Sequence, residues 1–304
     1  MPGLTRRRFL SISAATAALT TAGVAPAAPL RHWQGSALGA RATITLAHPD
    51  GARIAARAFA EIDRLEDIFS LYRAGSALSR LNREGRLDAP PLELLECLGL
   101  SGAVHRATGG RFDPTVQPLW DLHARAHAAG GPPAAEDIAS TLTNVGWDGV
   151  TLAPEAVTLR PGMALTLNGI AQGYIADRIA ALLRAEGLSE VLVDTGEHHG
   201  VGGDWPVTLT SDAGAEGQVR LRDRALASSA PLGTVFDRAG AAGHILDPRT
   251  GRPAAPRWRL VSVTAPQAAL ADALSTAMVL MDRDGMRQAF AAFPQARLAA
   301  AKPA

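Results

Sequence analysis

The chain has 304 residues, 47% of them hydrophobic and 19% charged, a composition that can bury a sizeable core and excludes an intrinsically disordered chain. Its 30 Lys+Arg stand against 29 Asp+Glu, a formal net charge of +1, so there is no cationic surplus of the kind that binds a polyanion and nucleic acid is not expected as a partner. The lone cysteine, Cys97, excludes an intramolecular disulfide.

The first feature in chain order is a targeting pattern. Thr5-Arg6-Arg7-Arg8-Phe9-Leu10 opens it, an apolar small-residue stretch follows, and Ala25-Pro26-Ala27 closes it. A basic region, a short hydrophobic region and an A-x-A site in that order predict an export signal of the twin-arginine type. The stretch is too short and alanine-rich for a membrane span. The expectation is a signal over 1–27, a mature domain over 28–304 and a periplasmic location.

ARATITLAH (40–48) alternates and predicts a strand. Ile54, Ala58, Ile62, Leu65, Ile68 and Phe69 recur at helical spacing, and Asp50 can cap that helix. Gly85 is a stop after SALSRLNREG, and the segment between Pro90-Pro91 and Gly109-Gly110 predicts another helix. Pro114 and Pro118 break RFDPTVQPLWDL, which argues against a long helix there. A Gly/Pro hinge and a short helix follow, and His105, His123 and His127 are expected in solvent. Two short strands come from 150–171, then QGYIADRIAALLRAEGL forms an amphipathic helix ending at Gly187. EVLVDTGEHHGVGG predicts a buried strand entering a glycine-rich turn, and WPVTLTS, QVRLRDRALASSA and GTVFD an antiparallel meander. The strand WRLVSVTAP, the apolar helix AALADALSTAMVLM and a final helix DGMRQAFAAF complete the chain. Helices and strands mix without strict βαβ alternation, so the fold class is α+β, a mixed helix and antiparallel-sheet architecture in a single domain.

Four stretches can carry chemistry. In HILDPRTGRP (244–253), Pro248 biases Asp247 toward extended backbone and Gly251 permits a turn with positive φ. Asp247 and Arg249 suit bracing that turn, whereas His244 is available as a proton acceptor or ligand contact. In ADALSTA, Asp272 and Thr276 share one helix face. A carboxylate and a hydroxyl there suit a hard cation, although spacing alone favours an N-cap aspartate with a back-bonded threonine. Gly169 and Gly173 in LNGIAQGYIAD suit either a phosphate at a helix start or close packing. The glycines of VDTGEHHGVGG allow a ligand approach or a turn, and Glu197-His198-His199 lacks the second cluster that a transition-metal site needs.

Taken in order, FSLYRAGSALSRLN, TGGRFDPTVQPLW, LNGIAQGYIADRI, VDTGEHHGVG, HILDPRTGRP and VTAPQAALADALSTA resemble the ApbE family, the FAD:protein FMN transferases, over nearly all of the mature chain. The resemblance implies an ApbE-like, T-fold-related catalytic domain. Such an enzyme takes FAD as substrate, holds Mg²⁺ on its pyrophosphate, and transfers FMN to a Thr or Ser hydroxyl of an acceptor flavoprotein with release of AMP. It implies Asp272 and Thr276 as side-chain Mg²⁺ ligands with the backbone carbonyl of Gly169. It implies Leu38, Tyr72, Arg111, Phe112, Asp113, Thr166, Gln172, His244 and Ile245 as FAD contacts, with Tyr72 stacking on the flavin. His244 and Asp272 are the catalytic candidates, His244 as base. Thr166 and Gln172 depart from the family, which often has an aspartate and a lysine or glutamate there. The NGIAQGY and DTGEHH variants, with the twin-arginine pattern, resemble the branch serving the nitrous-oxide-reductase system, whose acceptor is a membrane flavoprotein. A non-catalytic periplasmic FAD carrier and an FAD pyrophosphatase are the alternatives.

Overall fold

A computed structural model describes residues 29–304, so the export pattern over 1–27 lies outside the described residues. The chain opens with two strands, β1 (Arg31–Ala37) and β2 (Ala40–Leu46), followed by helices α1 (Gly51–Phe69) and α2 (Ala77–Glu84). Strand β3 (Arg86–Asp88), helices α3 (Leu92–Ala107), α4 (Gln117–Ala128) and α5 (Ala135–Leu142), and strands β4 (Val150–Leu152) and β5 (Ala156–Leu159) come next. Helix α6 (Ala171–Ala185) leads into β6 (Val191–Asp194), β7 (His198–Val201), β8 (Trp205–Ser211), β9 (Gly214–Leu221) and β10 (Arg224–Ser229). A small hairpin, β11 (Leu246–Asp247) and β12 (Arg252–Pro253), precedes β13 (Trp258–Ala265), α7 (Ala268–Met278), α8 (Arg283–Ala291) and β14 (Arg297–Pro303).

Seven strands form one sheet in the order β1-β2-β6-β7-β10-β13-β14, and every neighbouring pair is antiparallel. Side chains alternate across it, as strand geometry demands. Val191 and Val193 of β6, Ala225 and Ala227 of β10, and Val261 and Val263 of β13 enter the main core with α1, α6 and α7. Leu192, Leu226 and Leu260 point the other way, into a second cluster with Trp205, Val207 and Leu209 of β8 and Leu221 of β9. Helices therefore cover one face of the sheet and the β8–β9 hairpin covers part of the other. The α+β expectation holds. No helix among the described residues is long and apolar enough to cross a membrane.

Several local expectations change. Helix α4 runs through Pro118, because a proline in the first turn loses an N–H that has no helical partner anyway. DTGEHHG is a hairpin of two core strands, closed at Gly196 (φ +102°) by Thr195 N donating to Glu197 O at 3.0 Å, rather than a single strand running into a glycine-rich turn. GTVFD forms no ladder strand; it lies in a loop held by an isolated bridge between Val235 and Gly243. Asp50 precedes α1 without a side-chain cap bond. His123 is buried rather than solvated. Asp272 lies inside α7, not at its N-cap.

Candidate active site

The site is built where α6 and α7 cross. A Cβ added at Gly173 would stand 2.4 Å from Ala268 O and 2.6 Å from Ala269 N, so only glycine lets the two backbones meet. The N–H of Gly173 donates to Asp272 Oδ2 at 3.3 Å. The N-terminus of α7 is capped from the neighbouring helix: Ala268 N and Ala269 N donate to the two Asp177 oxygens at 2.7 and 3.0 Å. A carboxylate there also meets the positive end of the helix dipole. His199 Nδ1 bonds Asp177 Oδ1 at 2.6 Å, tying β7 to the same crossing. Gly173→Ala forces these backbones apart, and we expect a loss of about 2–3 kcal/mol in urea unfolding, the upper range for overpacking.

Helix α7 is buried along almost its whole length, and Asp272 is only 4% exposed. Burial pushes the Asp272 carboxyl up to about 8, the charge of Asp177 adds to the rise, and the Gly173 N–H opposes it. Glu197 is held well above the usual carboxylate range by burial and by Asp272, although Ser228 N donates to its Oε2 at 3.2 Å. Asp272 and Glu197 are thus two buried acids whose ionised forms are disfavoured by burial. One turn beyond Asp272, Thr276 Oγ1 lies 3.4 Å from Ser229 Oγ, which is 2.7 Å from Ser275 Oγ. Gly169 sits directly against Thr276: a Cβ built there would be 3.1 Å from Thr276 Oγ1 and 3.4 Å from Phe112 Cε2. The Asp272 carboxylate and the Thr276 hydroxyl, one turn apart on α7, are hard oxygen donors of the kind that suits Mg²⁺.

The remaining candidates fall into three groups. Phe112 and Asp113 occupy a buried turn in which Asp113 Oδ1 accepts from Thr115 N at 2.8 Å and Thr115 Oγ1 at 2.6 Å. Burial raises the Asp113 carboxyl above its ordinary range, against those bonds. Thr166 joins the same turn through its N–H to Pro114 O at 2.8 Å. Arg111 lines a cleft of about 340 Å³ with Asp282, Asp284 and Gln288, and its buried Nε has no hydrogen-bond partner among the described residues. Gln172 faces the β6–β7 turn: its carbonyl accepts from Thr195 Oγ1 at 2.9 Å, and its amide lies against Gly196.

Leu38 and Tyr72 share a second group. Leu38 adopts φ +48°, and its N–H donates to Glu66 Oε1 at 2.6 Å. Glu66 also takes Arg73, the residue after Tyr72, at 2.5 Å. Tyr72 is 69% exposed.

His244 and Ile245 form the third group. The N–H and Nδ1 of His244 both bond Thr234 O, at 3.0 and 2.9 Å. A carbonyl only accepts, so Nδ1 carries the proton and Nε2 is the ring's proton acceptor. Burial lowers the His244 pKa below 6.5, with the carbonyls of Thr234 and Pro231 pulling the other way. Ile245 is buried, and its carbonyl accepts from Ala254 N at 2.8 Å. The turn that follows is braced as expected, with Asp247 Oδ1 and Oδ2 taking Arg249 Nε and a terminal guanidinium nitrogen at 2.9 and 2.7 Å.

The structure places Gly169 against Phe112 and against Thr276, which lies on the helix that carries Asp272. Sequence reasoning missed Asp177 as the cap of α7, Glu197 as the second buried acid and Ser229 as the hydroxyl beside Thr276. A signal existed for Asp177, which lies one turn beyond Gly173 on the same face of α6.

Fold and site together define an α+β enzyme class in which two core helices cross at a glycine and present a buried oxygen donor set. The profile of the ApbE family matches residues 38–299, and the chain belongs to that family. The FAD:protein FMN transferase of Treponema pallidum (strain Nichols) is 31% identical over 257 residues, spanning 73% of this chain and 70% of that protein. The enzyme of the same name from Klebsiella pneumoniae (strain 342) is 29% identical over 213 residues, 66% of each chain. Among solved structures, the ApbE protein of Thermotoga maritima superposes with a TM-score of 0.80 at 26% identity, covering 89% of this chain and 93% of that one. The apo form of Pseudomonas stutzeri flavinyl transferase ApbE does so at 0.75 and 25% identity, covering 86% and 87%.

Proposed function

We propose that this chain is a Mg²⁺-dependent FAD:protein FMN transferase. It moves FMN from FAD to a Thr or Ser hydroxyl of an acceptor flavoprotein and releases AMP. The observation that carries the reading is the buried Asp272, one turn from Thr276 on α7 and with Gly169 packed against that threonine. These three residues would hold Mg²⁺, which supplies neutralisation of pyrophosphate charge. Tyr72 offers its ring face to the isoalloxazine, while Leu38, Arg111, Phe112, Asp113, Thr166, Gln172 and Ile245 line the path of the dinucleotide. His244 Nε2 takes the proton from the acceptor hydroxyl as its oxygen bonds to the FMN phosphorus and the bond from that phosphorus to the AMP oxygen breaks. Because Thr166 and Gln172 are neutral, they bind FAD by hydrogen bonds and leave the charge of the site to Asp272 and its neighbours.

The N-terminal pattern supports a periplasmic location, and the NGIAQGY and DTGEHH variants support a membrane flavoprotein of the nitrous-oxide-reductase system as acceptor. The test is incubation of the protein with FAD, Mg²⁺ and an acceptor carrying a Ser/Thr flavinylation motif. Covalent flavin on the acceptor, matched by AMP, is the expected result. AMP without labelled acceptor would instead identify an FAD pyrophosphatase, and bound FAD with neither product a carrier.

A further inference from the structure

We propose that His123 is a positioning residue for transfer: its imidazole joins the hairpin tip at Gly251 to the loop at Phe236, and so fixes the segment between them that carries His244. The proposal rests on the reading of His244 as base.

His123 lies on α4 and is only 2% exposed. Its Nε2 is 2.8 Å from Gly251 O. That carbonyl can only accept, so Nε2 donates. Nδ1 is buried with no hydrogen-bond partner among the described residues, which selects the neutral Nε2–H tautomer. The ring also stacks on Phe236, with centroids 5.5 Å apart and planes 26° from parallel. His127 stacks on both rings, at 6.2 Å from His123 and 5.9 Å from Phe236, and Trp120 meets Phe236 edge-on at 5.4 Å.

Both partners of His123 are close along the backbone to His244. Phe236 N donates to Ala242 O at 2.8 Å beside the Val235–Gly243 bridge, and Thr234, two residues earlier, supplies the carbonyl that takes both His244 bonds. On the other side, Gly251 N donates to Asp247 O at 2.8 Å and closes the hairpin that starts immediately after Ile245. Gly251 has φ +66°, and a Cβ there would stand 2.6 Å from Ile138 Cγ2 and 3.0 Å from Leu119 Cδ2. The tip is therefore seated on α4 and α5, with its carbonyl toward His123. Two arms leave His244 and end on one imidazole, which fixes where its Nε2 stands.

The test uses two variants of the full chain, read by FAD affinity, transfer kcat at saturating acceptor, and amide hydrogen exchange over 244–254. His123→Phe keeps a buried ring that can stack and removes the donor. His123→Gln places an amide N–H near the position of Nε2. We expect His123→Phe to lower kcat by about tenfold or more, as misplacement of a reacting group does, with FAD affinity within about twofold. Exchange over 244–254 should accelerate, and His123→Gln should recover most of both losses. Parent kcat and parent exchange in His123→Phe would overturn the proposal. So would a joint fall of FAD affinity, kcat and melting temperature that His123→Gln leaves unrepaired. Full activity in His244→Ala would sink the base assignment instead, while faster exchange in His123→Phe would still show the tether.

Discussion

If Asp272 holds Mg²⁺ as proposed, we expect Asp272→Asn to lower the transfer kcat about a thousandfold, a barrier increase of roughly 4 kcal/mol. Asparagine keeps the volume and an oxygen that can accept from Gly173 N, so the crossing of α6 and α7 is preserved. What it loses is the charge that a cation needs. Stability moves in the opposite direction to activity. In metal-free buffer the folded Asp272 pKa is raised to about 8 from 3.8. An acid raised in this way contributes fully below its unfolded pKa, and the contribution is lost as pH rises through the folded value. Above pH 8 the asparagine variant should therefore be at least as stable as the parent to urea, while being inactive. Retained Mg²⁺-dependent flavinylation, or an unfolded variant, would contradict this account. Thr276 and Gly169 would then have to be regarded as packing partners only.

If His244 is the base as proposed, we expect His244→Ala to lower kcat by about a thousandfold, within the range for loss of a general base, with FAD binding retained. The pH profile supplies an independent reading. Burial places the His244 pKa below 6.5, so the ring is already neutral at pH 7 and ready to accept a proton. The acid limb of kcat/KM should lie below pH 6.5 in the parent and vanish from the residual rate of the variant. Linkage has the same sign. A histidine whose folded pKa is depressed contributes stability that is complete above its unfolded value and is lost as pH falls through the folded one. An acid limb centred above 6.5 would move the base role elsewhere.

How far these features were legible depends on how local their causes are. The periodicity of ADALSTA put Asp272 and Thr276 on one helix face, because helical spacing is a local property. Whether that face met a ligand or capped a helix was not legible, because the deciding contacts are distant: Gly173 reaches Asp272 across 99 positions, and Asp177 caps α7 across 91. His123 lies among alternating polar residues in LHARAHA, and its burial comes from Gly251, 128 positions away. Strands β1 and β14 were missed for another reason. RHWQGSA is mostly exposed and RLAAAKP carries a run of three alanines, so neither shows the alternation that marks a strand with one face in the core. Helix α4 escaped because a proline in a first turn looks, in sequence, like one that breaks a helix.

Those same two strands are the margins of the seven-stranded sheet, and their composition governs how one molecule meets another. An open sheet presents unpaired backbone groups along each border, a template onto which a neighbour's strand can zip. Here β14 ends in Lys302-Pro303, which places a charge and a residue without an N–H on the border, and β1 begins with exposed Arg31 and His32. Both borders are thereby poor templates for edge-to-edge pairing.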